Sequence, residues 1–254
     1  MIELETFISL ELYRIALTFT RVGAAFMLLP GIGALFVPVR IRLFVALPVA
    51  IAMAHTVASP PEALPPSFIG VVAEVAAEVL VGVIMGGAAR FFLSALQVAG
   101  QVVGQAAALS NIFVAPGTGM DAGSIFSTVL TIAGLAFLFA ADLHHLMIMA
   151  IVASFDIMPQ AEFPHMGDAA KGLVSVLAQT FQLGVQLSAP ILVMGFVFNM
   201  GLGLINKLMM QLPVFFVGMP LAIIGAFYML AAMTAVALST FGGALSAWLS
   251  RPFM

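Results

Sequence analysis

The sequence predicts an all-α, polytopic membrane-associated protein built of helical hairpins, with about six hydrophobic segments. Three observations carry that expectation. Hydrophobic residues make up 63% of the chain and charged residues only 7%, with a mean hydropathy of +1.21. A soluble domain carries roughly a quarter charged residues, so a chain this poor in charge must be covered by lipid or by apolar protein. The charges are also unevenly placed, with none between Arg90 and Asp121, between Lys171 and Lys207, or between Lys207 and Arg251. A hydrocarbon core ~30 Å thick needs about 20 apolar residues to cross, and several stretches exceed that. Finally, strand-like alternation is scarce, whereas long apolar runs punctuated by Pro and Gly are common.

The segments follow in order. The first apolar run, about Ile8 to Leu29, ends at Pro30-Gly31. A short link with Pro38, Arg40 and Arg42 leads to the second run, about Val39 to Ala58, which stops at Ser59-Pro60-Pro61 and Pro65-Pro66. The third, Phe68 to about Leu109, is too long for one ordinary crossing and must be a long tilted helix, a bent one or a hairpin. Ser110 to Gly123 reads as a loop. The fourth run covers about Ser124 to Ile157, and Pro159 to Asp168 forms a polar link. The fifth, about Ala169 to Asn206, contains Pro190, and the sixth, about Pro213 to Leu249, contains Pro220. Excess positive charge marks cytoplasmic links. By that rule Arg40, Arg42 and Lys207 put the first and fifth links inside. Glu62, Asp156, Glu162 and Asp168 then lie outside with both termini. Glu3, Glu5 and Glu11 precede any positive residue, so no cleaved signal is expected.

Composition excludes several function classes. There is no cysteine, hence no disulfide, thiolate metal site or cysteine nucleophile. A net charge of −3 without a basic run gives no reason to expect a nucleic-acid partner. No phosphate loop, G-x-S-x-G elbow or HExxH motif occurs, and no catalytic residue, cofactor or metal ligand is assigned. Asp142, His144 and His145 carry ligand chemistry, but adjacent histidines point to different helix faces, which favours a capping or interface cluster.

The informative polar residues sit inside apolar runs. Glu74 and Glu78 share one helix face at i, i+4, where buried carboxylates pair, protonate or line a polar path. One reading is a proton relay; the other bonds Glu78 to a neighbouring helix with Glu74 near the interface. Gly82 and Gly86, like Gly100 and Gly104, are small-xxx-small pairs that let helix backbones approach. Gln97, Gln101 and Gln105 form a polar stripe at i, i+4, i+8, expected against protein or a wet channel. The seventeen methionines and twenty-two phenylalanines are scattered, as packing residues would be.

The run from Asn199 to Pro220 resembles a signature of the R-type export-gate family of bacterial type III secretion systems, N-x-x-x-G-x-x-N-[RK]-x-x-P-Q followed by G-x-P. Asn199, Gly203, Asn206, Lys207, Gln211, Gly218 and Pro220 match, and Met210 replaces the usual proline. Glu78-x-x-x-Gly82-x-x-x-Gly86 resembles the family's glutamate-glycine helix. The block from Gly100 through Gly104 to Pro116-Gly117 resembles its central loop region, with Ala115 in place of an acidic residue. His144, Pro159, Pro38 and Arg40 fall at matching positions, so the ordered match runs from about Arg21 to Pro220.

The resemblance implies a single export-gate subunit over 1–254, with a P-like helical part (1–167) fused to a Q-like helical hairpin (168–254). It implies a non-enzymatic pore subunit of the flagellar gate in the bacterial inner membrane and flagellar basal body. Its implied partners are the P-type, Q-type, B-type and A-type gate proteins (FliP, FliQ, FlhB, FlhA), exported unfolded flagellar proteins and membrane lipid. Asn111, Ile112, Phe113, Val114, Ala115, Pro116 and Gly117 would form a pore plug. Glu78, Gly82, Gly86, Gly100, Gly104, Asn199 and Gly203 would serve helix packing or a subunit interface, and Asn206, Lys207 and Gln211 a cytoplasmic loop. The alternatives are the injectisome counterpart of the same subunit, or a stand-alone proton-coupled transporter. The transporter would use Glu74 and Glu78, with helices broken at Pro190 and Pro220.

Overall fold

In the computed structural model, the residues described are 2–34, 37–56, 61, 64–106, 123–208 and 214–250. Among them there are seven helices and no strand: α1 (Ile2–Leu28), α2 (Val39–Ala54), α3 (Phe68–Ala106), α4 (Gly123–Ala140), α5 (Leu143–Ile157), α6 (Met166–Leu208) and α7 (Val214–Leu249). The polytopic all-α expectation therefore holds. Among the described residues three helices are long and apolar enough to cross a membrane: Phe68–Gln105, Met166–Leu208 and Pro220–Leu249. A bent pair, Ile125–Ala140 with Leu143–Ile157, makes a fourth if counted as one span.

Local chemistry explains the boundaries. After α1 the chain turns through Gly31 at φ 86°, a left-handed conformation open to glycine. The link that follows is fastened by Arg42, whose guanidinium donates to the carbonyls of Val37 (3.0 Å) and Ala34 (2.5 Å). Arg42 is buried and Arg40 exposed, so one of the two charges counted toward orientation works inside the link. Pro38, at φ −58°, precedes the first turn of α2, where a fixed φ and a missing N–H cost little.

The third hydrophobic run is one continuous helix of 39 residues, about 58 Å long at ~1.5 Å per residue. The fourth run differs from expectation, because it divides into α4 and α5 at a bend of 75°. Asp142 causes the break. It adopts φ 56° and ψ 20° immediately before α5, a left-handed conformation that Asp tolerates better than most residues but that no helix interior admits. Pro190 and Pro220 lie inside the continuous helices α6 and α7, so the broken-helix premise of a transporter is not met at either position.

Contacts divide the chain into two compact units. The first comprises Met1–Phe91, Asp142–Leu177 and Leu245–Met254. Its core includes Leu17, Val22, Phe26, Ala77, Val81, Met147, Ile151 and Phe155, each at most 2% exposed. The second comprises Phe92–Ala141 and Ala178–Ala244. There Val103, Phe126, Ile191 and Ala226 form a buried cluster, with the rings of Phe126 and Phe227 tilted at 5.2 Å between centroids. Both units leave large apolar side chains uncovered, among them Phe44, Phe68, Phe181, Leu208 and Tyr228. An apolar surface of that extent marks contact with lipid or protein.

Candidate functional site

The densest polar chemistry in the first unit lies where α1, α3 and α5 meet, and glycine makes the approach possible. A Cβ added at Gly82 would strike the Arg21 carbonyl oxygen and lie 2.7 Å from Ala24 Cβ. One added at Gly86 would lie 2.5 Å from the Ala25 carbonyl oxygen and 3.0 Å from Leu28 Cβ. The backbones of α1 and α3 are thus in direct contact over two turns, an approach that small residues at this spacing permit.

Closing the backbones this far brings Arg21 and Glu78 together, both wholly buried. Arg21 Nε donates to Glu78 Oε2 at 2.6 Å and Nη2 to Oε1 at 3.1 Å, a two-pronged carboxylate contact of the strong kind. The remaining donors are also engaged. Nη1 donates to Ser154 Oγ (3.3 Å) and to the Met158 carbonyl (2.9 Å), and Nη2 reaches the Pro159 carbonyl at 3.4 Å. The guanidinium carbon sits 4.0 Å from the ring centre of Phe155, within cation–π range. Glu78 Oε1 accepts a further bond from the Ala161 N–H at 2.9 Å, and Ala161 is held at φ 65°. Gln160 completes the turn by donating to Thr18 Oγ1 (3.0 Å) and the Arg14 carbonyl (3.2 Å). One turn above, Tyr13 donates to Glu74 Oε2 at 2.6 Å.

This arrangement can hold three helices and a turn in one geometry. A buried charge is tolerated when it is paired and its other hydrogen-bonding groups are satisfied, and both conditions are met. A proton relay needs a carboxylate that exchanges its partners. Glu78 is instead clamped by two guanidinium nitrogens and a main-chain amide, which favours the helix-bonding reading of the two glutamates.

In the second unit, Gly100 lies against the backbone of Ser127 on α4, and a Cβ there would meet Ser127 Cα and N. A Cβ added at Gly184 on α6 would lie 3.5 Å from the Ala95 carbonyl oxygen and from Val98, an ordinary contact. Gly104 is buried in α3. Asn199 is exposed on α6 and bonds its own helix at the Gly195 carbonyl (2.8 Å). Gly203 is exposed, with nothing within 4 Å of its would-be Cβ. Asn206 and Lys207 are exposed in the last turn of α6. Gln211 and the expected plug residues Asn111, Ile112, Phe113, Val114, Ala115, Pro116 and Gly117 lie outside the described residues.

Asp142, His144 and His145 do lie together, with potential ligand atoms within 4.8 Å of one another. His145 Nδ1 stands 3.6 Å from Asp142 Oδ1, and both side chains are more than two-thirds exposed. Donor atoms at ~2.0–2.1 Å from a zinc ion stand closer to one another than that, and the exposed pair reads as a surface contact at the bend.

Sequence reasoning missed Arg21 as a functional residue. The available signal was two arginines, Arg14 and Arg21, within the first apolar run and a lone pair of glutamates within the third. The satisfying turn at 158–161 carried no such signal.

Comparison with known proteins adds an independent finding. The family described as bacterial export proteins, family 1, matches residues 12–248. The flagellar biosynthetic protein FliR of Caulobacter vibrioides is 38% identical over 214 residues, 84% of this chain and 85% of that one. FliR of Bacillus subtilis is 31% identical over 219 residues, 84% of this chain and 83% of its own. FliR of Escherichia coli is 25% identical over 157 residues, about three-fifths of each chain (61% and 60%).

Proposed function

The chain belongs to the bacterial export proteins of family 1, and on that premise we propose that it is the R-type pore subunit of a flagellar type III protein-export gate. It is a flagellar export-apparatus subunit with several membrane-crossing helices. In the proposed assembly it joins P-type and Q-type subunits in the inner membrane and lets unfolded flagellar proteins pass. B-type and A-type proteins act beside it. Its part is structural, and the energy for export comes from elsewhere in the apparatus. The observation that carries this reading is the correspondence with FliR over 84% of the chain. The pattern of burial supports it, because large uncovered apolar faces mark contact with lipid or neighbouring protein. The P-like part at 1–167 and the Q-like hairpin at 168–254 belong to the same proposal, as does a plug formed by the loop around Pro116.

The test is genetic and direct. A strain lacking the gene should release no hook or filament protein into the medium, and the wild-type chain supplied in trans should restore release. Undiminished release in the deletion strain would remove the proposal.

A further inference from the structure

The outward face of α3 changes chemistry along its length. In its first part the exposed side chains are Phe68, Ile69, Val72, Ala76, Val79 and Val83, all apolar. From 91 to 105 the exposed residues are Gln97, Val98, Gln101 and Gln105, preceded by exposed Arg90. The other side of this stretch is closed by Leu96, Ala99 and Val103, each at most 3% exposed, and by Gly100 against α4. The three amides are therefore forced outward by the packing behind them. None makes a hydrogen bond to another described residue.

Lipid is an unsuitable covering for this face, because an unpaired amide in hydrocarbon costs several kcal/mol. A docking face for a folded subunit draws on large apolar or aromatic anchors, and Val98 is the one exposed apolar side chain in the stretch. What the stripe offers is repeated, uncharged groups that both donate and accept. Main-chain N–H and C=O groups need both roles, whatever the side chains beside them. The spacing also suits them. Residues four apart on a helix stand about 6 Å apart along its axis, and groups on one edge of an extended chain recur every ~6.6–6.8 Å. A glutamine side chain is long enough to absorb the difference.

We propose that Gln97, Gln101 and Gln105 form a wetted track that hydrogen-bonds the extended main chain of the polypeptide being exported, independently of its sequence. The proposal rests on the pore-subunit reading above and adds to it the surface that meets the cargo. Neutral amides suit this task, because a charged wall would bind some segments tightly and repel others.

The experiment places benzoylphenylalanine singly at positions 97, 101 and 105, with Val79 and Val83 as controls, in cells whose gate holds a stalled flagellar cargo. Illumination should join cargo at 97, 101 and 105 and leave the two control positions without cargo adducts. Adducts from the glutamine positions to partner subunits or to lipid alone would overturn the track while leaving the chain an essential gate subunit. If the function reading itself is wrong, the purified chain will carry no gate partners and its deletion will leave secretion unchanged. As a second measurement, the Gln97→Leu, Gln101→Leu, Gln105→Leu triple variant should assemble normally but secrete roughly tenfold more slowly, about the effect of one lost amide bond. Wild-type secretion by that variant would also overturn the proposal.

Discussion

Arg21 and Glu78 show how a chain with 7% charged residues uses a charge. Each is fully buried, each satisfies the other, and between them they bind α1, α3, α5 and the turn at 158–161. Removing one partner leaves the other buried and unpaired, which costs about 3–5 kcal/mol. Glu78→Gln is therefore expected to lower the melting temperature and the yield of the purified complex sharply. The Arg21→Met, Glu78→Leu double variant should recover much of the loss, because a well-packed apolar pair can replace a buried ion pair. Equal loss in the single and double variants would show that the charge itself is required. Gly82→Leu and Gly86→Leu should also reduce complex yield, since the added atoms meet α1 backbone rather than movable side chains. Overpacking of this kind typically costs ~1–3 kcal/mol. His145→Ala, at an exposed surface contact, should leave yield unchanged.

At the scale of elements, most of the helices were legible because apolar runs and Pro-Gly breaks are local signals. The third run left open a tilted helix, a bent helix or a hairpin, since periodicity alone does not separate them. The continuous α3 follows from contacts at both ends of the run: Gly82 and Gly86 lie against α1, and Gly100 against α4. The break within the fourth run was harder to see. Asp142, His144 and His145 interrupt the run, but nothing local in the sequence marks the left-handed conformation that Asp142 adopts before α5. The Arg21–Glu78 pair was hidden for another reason, because the two residues are 57 positions apart in sequence and Arg21, unlike Glu78, has no local motif. The bend yields a test. A non-glycine residue in the left-handed region costs roughly 1–2 kcal/mol, least for Asp and most for β-branched residues. Asp142→Gly is expected to preserve or raise the melting temperature of the complex, and Asp142→Val to lower it. The reverse order would show that the aspartate side chain, not its backbone, makes the bend.

For the whole molecule, the question is what covers its surface. The chain buries a polar staple yet exposes phenylalanines at positions 44, 68, 181 and 196 to more than 60%, so its stability is tied to its surroundings. The plug proposal belongs at this scale. If the apolar residues 112–114 head a loop, as the plug proposal holds, they need an apolar partner or a cavity around them, and deletion of residues 112–119 should leave the complex assembled but permeable to ions. A tight membrane in cells with verified complexes would make the loop an interfacial anchor instead. The central claim is that this chain works only as one subunit among gate partners. The most direct measurement is the composition of the particle recovered when the tagged chain is extracted from its native membrane. The account predicts P-type and Q-type subunits in a fixed ratio to the tagged chain, whereas a stable single-chain particle that moves a substrate across liposomes by itself would contradict it.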